Sequence, residues 1–145
     1  MDRRWQQLGD LLVNYSTHVQ PGDSLLLRTD WSKQADHPAI YRDGLPRISE
    51  ALAHWCVTSK VKMLGVEPPS IADVNNLAEV TRIHKILLGG GVTIVEGLCN
   101  LDQLKGPGVF FAALPLKIFA GDGCPCRAFA VDGDETVEQL ARLLA

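Results

Sequence analysis

The stretch from Leu77 to Glu96 narrows the fold more than any other part of the chain. Leu77, Val80, Ile83, Leu87 and Leu88 recur at helical spacing on one face, Asn75 or Asn76 stands where a helix cap is needed, and Gly89-Gly90-Gly91 closes the run. The β-branched segment Val92-Thr93-Ile94-Val95 follows at once and ends on Glu96. A helix that passes straight into a short apolar strand is the alternation of an α/β protein.

The remaining sequence extends that alternation in both directions. Trp5, Leu8, Leu12, Tyr15 and Val19 predict a helix, Pro21-Gly22-Asp23 breaks it, and Leu25-Leu26-Leu27 reads as a strand. Trp31 to Arg47, with Pro38, Gly44 and Pro46, reads as a long, irregular, lid-like connection. A helix is expected after Ser49 through Ala51, Leu52 and Trp55, and Val61 to Val66 is a strand that Pro68-Pro69 must end, since proline donates no ladder bond. A loop at Ser70 to Asn75 leads to the helix already described.

Downstream, Leu101 to Leu104 reads as a single turn and Val109 to Leu114 as a strand before Pro115. Leu116 to Phe119 and Ala128 to Val131 flank Gly121-Asp122-Gly123, whose glycines permit positive φ in a tight turn. A last helix is expected near Asp134, with apolar Val137, Leu140, Ala141 and Leu144, and Arg142 placed to suit the helix dipole. The crowded C-terminal strands suggest a meander. The predicted class is therefore α/β, a mixed β-sheet with flanking helices, in a single domain over 1–145 with an N-terminal helix over 1–18 and a C-terminal helix over 134–145.

Composition removes several functional classes. Apolar residues make up 46% and charged residues 21%, which suits a chain that folds in water. A net charge of −3 supplies no basic stripe, so neither nucleic acid nor an anionic membrane is an expected partner. No apolar run approaches the roughly 18 residues a span requires, and Met1-Asp-Arg-Arg-Trp-Gln-Gln-Leu has no apolar signal core; the expected location is the cytoplasm. Cys56, Cys99, Cys124 and Cys126 are spread too widely for a disulfide scaffold and are expected to be reduced thiols. Cys124-Pro-Cys126 offers two soft metal ligands without the second pair that a structural zinc site uses. The glycine runs suit anions poorly, because Gly89-Gly90-Gly91 follows a helix and precedes a strand, the reverse of a phosphate-binding loop.

His84 and Glu96 are the candidates for chemistry, although twelve positions separate them and spacing alone does not join them. From the residues alone His84 reads first as a packed or hydrogen-bonded histidine, and Glu96 as a strand-end carboxylate facing water. Asp122, Cys124 and Arg127, in Gly-Asp-Gly-Cys-Pro-Cys-Arg, are candidate pocket residues; a turn aspartate and a strand-end arginine are the plain alternative.

The run His84-Lys-Ile-Leu-Leu-Gly and the segment Glu96-Gly-Leu-Cys-Asn-Leu-Asp102, followed by Ala113-Leu-Pro-Leu-Lys-Ile-Phe-Ala-Gly-Asp-Gly-Cys-Pro-Cys-Arg127, resemble the cyclase family of metal-dependent hydrolases, which includes bacterial kynurenine formamidase. Val19-Gln-Pro-Gly-Asp23 through Leu27-Arg-Thr-Asp-Trp31, and Leu64-Gly-Val-Glu-Pro-Pro-Ser70, resemble its upstream strands, so the resemblance runs from about 19 to 130. Two positions depart from the family pattern, Glu67 where aspartate is usual and Cys124 where serine is usual. The resemblance implies the family's swivelling β/β/α domain, truncated at its N-terminus. It implies metal-site roles for His84 and Glu96, a Zn²⁺ or Mn²⁺ ion, and hydrolysis of a small amide, formamide or cyclic amide or ester by a metal-activated water. Residues 1–22 also resemble, over a short span, the start of a metal-dependent aminopeptidase family, and an amphipathic helix accounts for them as well.

The family's remaining ligands come from a His-x-Gly-Thr-His-x-Asp-x-Pro-x-His motif that these 145 residues do not contain. Gly22 stands four after His18, Pro38 follows His37, and Thr58 stands four after His54, so these histidines do not rebuild it and read as surface or helix residues. Catalytic zinc commonly takes three protein ligands, which leads to two expectations. One is a hydrolase whose site is completed by a homo-oligomer or a partner chain; the other is an inactive remnant or binding subunit of the same fold.

Overall fold

The computed structural model describes residues 19–106 and 108–133, together with residues 139, 142 and 143. The helix expected over 1–18 lies outside the described residues. Of the helix expected after Asp134, only 139, 142 and 143 are described, and they are helical. The chain divides into two compact units, 1–99 and 100–145.

The first unit is built on β1 (Ser24–Leu27), β2 (Met63–Val66) and β3 (Thr93–Val95), a parallel sheet in the order β1-β2-β3. Leu25 pairs with Leu64, and Leu64 with Ile94. Parallel neighbours need long crossovers. The first holds α1 (Pro38–Asp43) and α2 (Glu50–Thr58), and the second holds α3 (Leu77–Gly89). The Ser49 side chain accepts from the Leu52 amide to cap α2, and that of Asn76 accepts from the Glu79 amide to cap α3.

Trp31 to Arg47 is less irregular than its sequence suggests. A 3₁₀ turn spans Trp31–Gln34, and Pro38 opens α1, where its missing N–H costs nothing because the first helical amides have no intrahelical partner. Proline reads as a breaker in the sequence, yet here it starts a helix.

Leu52, Ala53 and Cys56 of α2 and Ile83 and Leu87 of α3 meet Leu27, Leu64 and Val66 of the sheet in one core. The expected apolar face of α3 is corrected at its edges, since Leu77 is 76% exposed and Leu88 53%. At about 100° per residue these two fall roughly a quarter turn from the stripe that Val80, Ile83 and Leu87 define.

The second unit carries a 3₁₀ turn at Leu101–Gln103 and an antiparallel pair, β4 (Phe110–Pro115) and β5 (Cys126–Val131). Leu116 to Phe119 is not a strand, contrary to expectation. Pro115 and Pro125 bracket the connection and cannot donate ladder bonds, so pairing stops where Pro115 meets Cys126. The left-handed residue there is Ala120, at φ 54°, and neither Gly121 nor Gly123 uses positive φ. Parallel and antiparallel pairings thus both occur, in two separate sheets of an α/β protein.

Candidate functional site

His84 sits at the edge of the buried stripe of α3, next to the core residue Ile83, and its side chain is 29% exposed. Its Nδ1 lies 2.8 Å from the carbonyl oxygen of Val80, one turn back. A carbonyl only accepts, so Nδ1–H donates, and the neutral ring keeps its lone pair on Nε2. The helix backbone therefore sets both the tautomer and the ring direction.

Glu96 follows Val95, the last residue of β3, and β3 returns directly from α3 through the three glycines. Its Oε1 accepts from the Ile71 amide at 2.9 Å and lies 3.6 Å from His84 Nε2. The structure therefore brings together the two residues that spacing alone could not join. At that separation they are neighbours rather than hydrogen-bond partners. Burial pushes the Glu96 carboxyl up from its ordinary value, against the opposing pull of the Ile71 amide and of His84.

One imidazole nitrogen and one carboxylate, both held by backbone groups and pointed at each other, are a suitable donor pair for a divalent cation. They remain two donors. Among the described residues no group of three or more histidine, cysteine, aspartate or glutamate side chains converges as a metal site.

Glu67, which the sequence marks only as a departure from the family pattern, is the most enclosed acid described, 1% exposed just past the end of β2. Its Oε2 accepts from the Thr29 amide at 2.6 Å, the Thr29 hydroxyl at 2.9 Å and the Trp31 amide at 3.1 Å, and its Oε1 from the Ser32 hydroxyl at 3.1 Å. Four donors satisfy a carboxylate that would otherwise be costly to bury. The Tyr41 hydroxyl donates to the Glu67 backbone carbonyl at 2.9 Å, and burial, with the negative charge of Glu67 beside it, raises the Tyr41 phenol above its ordinary value. The available signal was a glutamate closing a strand beside a Thr-x-Trp on the neighbouring strand end.

A cavity of about 20 Å³, lined in part by Thr29, Arg47, Ser70 and Ile71, lies at the ends of β1 and β2 and has room for a water rather than a substrate. The shallow depression along Leu77, Thr81, Arg82 and Lys85 is an open helix face that includes neither His84 nor Glu96.

Asp122, Cys124 and Arg127 belong to the second unit. Asp122 is exposed in the β4–β5 connection, Arg127 is exposed on β5 opposite Leu114, and Cys124 is half-buried with Sγ 3.6 Å from the Leu116 carbonyl. They share no hydrogen bond or ion pair with one another among the described residues. All four cysteines are free thiols. His37 caps α1 without a side-chain bond, and His54 is exposed on α2, 3.9 Å from Glu50. No described helix is long and apolar enough to cross a membrane.

The fold and this pair define an α/β chain with a histidine and a carboxylate converging beyond the end of a parallel strand, where open sheets of this kind place their ligands. The family model described as "Putative cyclase" matches residues 4–73, beginning well ahead of residue 19. Kynurenine formamidase of Erythrobacter litoralis is 32% identical over 120 residues, which is 83% of this chain and 53% of that protein. Isatin hydrolase of Roseibium aggregatum is 28% identical over 132 residues, 78% of this chain and 46% of that one. Among solved structures, isatin hydrolase A from Ralstonia solanacearum superposes with a TM-score of 0.71 at 27% identity, over 86% of this chain and 52% of that one. A potential metal-dependent hydrolase with cyclase activity gives 0.65 at 25% identity, over 81% and 54%. The chain spans about half the length of the curated relatives it matches. Over the part it spans, the chain matches the cyclase family in sequence and in fold.

Proposed function

We propose that this chain carries part of the active site of a metal-dependent hydrolase that cleaves a small amide, formamide or cyclic amide or ester. The observation that carries the proposal is the approach of His84 Nε2 to Glu96 Oε1, with Nδ1–H tied to Val80 and Oε1 to Ile71. The relatives' names support the reaction class, since a kynurenine formamidase and isatin hydrolases both act as hydrolases.

In this reading His84 offers Nε2 and Glu96 a carboxylate oxygen to Zn²⁺ or Mn²⁺. A divalent ion there would supply a water of lowered pKa and a Lewis acid for the substrate carbonyl. Val80 fixes the imidazole, the Ile71 amide fixes the carboxylate, and neither ligand has to reorganise as the cation binds. Remaining donors, and a proton donor for the leaving group, come from beyond His84 and Glu96, through a second copy or a partner chain. The two-donor count among the described residues favours a second reading, a binding subunit of the same fold without catalysis of its own.

The deciding experiment is calorimetric titration of metal-free protein with Zn²⁺ and Mn²⁺, followed by formamide and lactone hydrolysis assays. Binding that is lost in both His84→Ala and Glu96→Ala supports the site. Binding indifferent to both changes removes it, and binding without hydrolysis selects the subunit reading.

A further inference from the structure

We infer that Glu67 is the positioning residue of this centre: it clamps the Thr29–Ser32 segment to the end of β2 and aims the Ile71 amide at Glu96. The inference rests on the proposed role of Glu96, but its geometry stands alone. Three separate stretches of chain meet at Glu67. Its carboxylate takes the four donors from Thr29, Trp31 and Ser32, and its carbonyl takes the Tyr41 hydroxyl. Its two neighbours hold the segment after β3, because Val66 O accepts from the Leu98 amide at 3.0 Å and Pro68 O from the Gly97 amide at 2.9 Å. Three residues beyond Pro68, the Ile71 amide reaches Glu96 Oε1, and the Ile71 carbonyl accepts from the Ile48 amide at 2.8 Å.

The 66–71 segment is therefore fastened on both sides of Glu96, and Glu67 is its buried charged anchor. Glu67 and Glu96 close adjacent parallel strands, one enclosed by donors and the other partly open. Removing the enclosed acid frees Thr29 and Trp31 and lets the 66–71 turn shift, which moves the donor that orients Glu96. Glu67→Gln keeps the shape, since the amide oxygen can face Thr29 and Trp31 while the Ser32 hydroxyl rotates to accept from the new NH₂. Only the charge and the strength of the clamp are lost.

The test uses the full chain, ¹⁵N-labelled, as Glu67→Gln and Glu67→Ala, with the buried Val61→Ala, two residues ahead of β2, as a core control. In the Glu67 variants the Thr29 and Trp31 amides exchange about tenfold faster, the Ile71 amide proton moves upfield, and Zn²⁺ binding weakens about tenfold, the usual scale for an outer-shell partner. Val61→Ala lowers Tm and leaves all three readouts in place. If Glu67→Ala does not fold, Glu67→Gln decides. An unchanged Ile71 amide in a folded Glu67 variant overturns the inference. Should the wild type bind no Zn²⁺, the metal reading fails alone, and the exchange and chemical-shift measurements still decide the role of Glu67.

Discussion

His84 Nε2 stands 3.6 Å from Glu96 Oε1, although the two residues lie on different elements. The approach follows from how α3 ends. Gly91 adopts φ +81°, which a side chain would resist, and so lets β3 turn back beside β2, while Leu87 and Ile83 fix the rotation of α3 in the core. The pair is set by packing, because its two members do not hydrogen-bond to each other.

Glu96→Gln tests the electrostatics of that pair. A carboxyl raised in the folded chain binds a proton more tightly folded than unfolded, so ionising it costs stability as pH rises past its ordinary value. That cost is absent below the ordinary value and complete above the raised one. Glutamine never ionises. The Tm of Glu96→Gln relative to wild type is therefore expected to climb from pH 4 to pH 7, as measured by thermal denaturation in metal-free buffer. A flat or falling difference would contradict the assignment of burial as the larger influence.

Much of this was legible in the sequence, for reasons that differ by residue. Leu25–Leu27, Val61–Val66 and Val92–Val95 announce strands through continuous apolar runs, and Ser49 and Asn76 announce helix starts through capping side chains. His84 and Glu96 were legible as candidates only through family resemblance, since no local pattern states that a helix edge and a strand end will meet. Ile71 was invisible, because its part is played by a backbone amide. Glu67 was nearly so: a buried charge is specified by donors 35 to 38 residues away. Pro38 misled because proline serves helix starts and loops alike, and Leu116–Phe119 misled because apolar content alone does not supply a pairing partner.

Thiol chemistry separates the cysteines. Burial pushes the Cys56 thiol up to about 11, and the residue is fully enclosed between α2 and the sheet. Cys99 and Cys126 are exposed and Cys124 is half-buried. Native protein at pH 8 is expected to release three equivalents from an aromatic disulfide reagent, with Cys56 reacting only in denaturant. Four equivalents at one rate under native conditions would show that the core opens far more readily than its packing implies.

Asn76→Ala should cost about 1 kcal/mol, because the Glu79 amide loses the side-chain oxygen that caps α3 at 3.2 Å. Urea denaturation measures the loss. Since α3 carries His84, any Zn²⁺ affinity should fall with the fraying of the helix start only slightly, as His84 is the eighth residue of the helix. A loss of stability below about 0.3 kcal/mol would mean that water caps the helix as well as Asn76 does.

Gly90→Ala is the most demanding test of how α3 is seated. A Cβ at Gly90 would lie 2.3 and 2.6 Å from the two methyl carbons of Val57 and 3.0 Å from the Ile86 carbonyl, while Gly89 has open space around it. Overpacking of this kind costs about 1–3 kcal/mol, whereas Gly89→Ala should be close to neutral. If the Val57 methyls are the cause, Val57→Ala in the Gly90→Ala background recovers stability beyond the sum of the single changes, a coupling that a double-mutant cycle in urea reads directly. Strict additivity would place the strain in the Ile86 backbone instead, and α3 with His84 would then have to move outward to accommodate it.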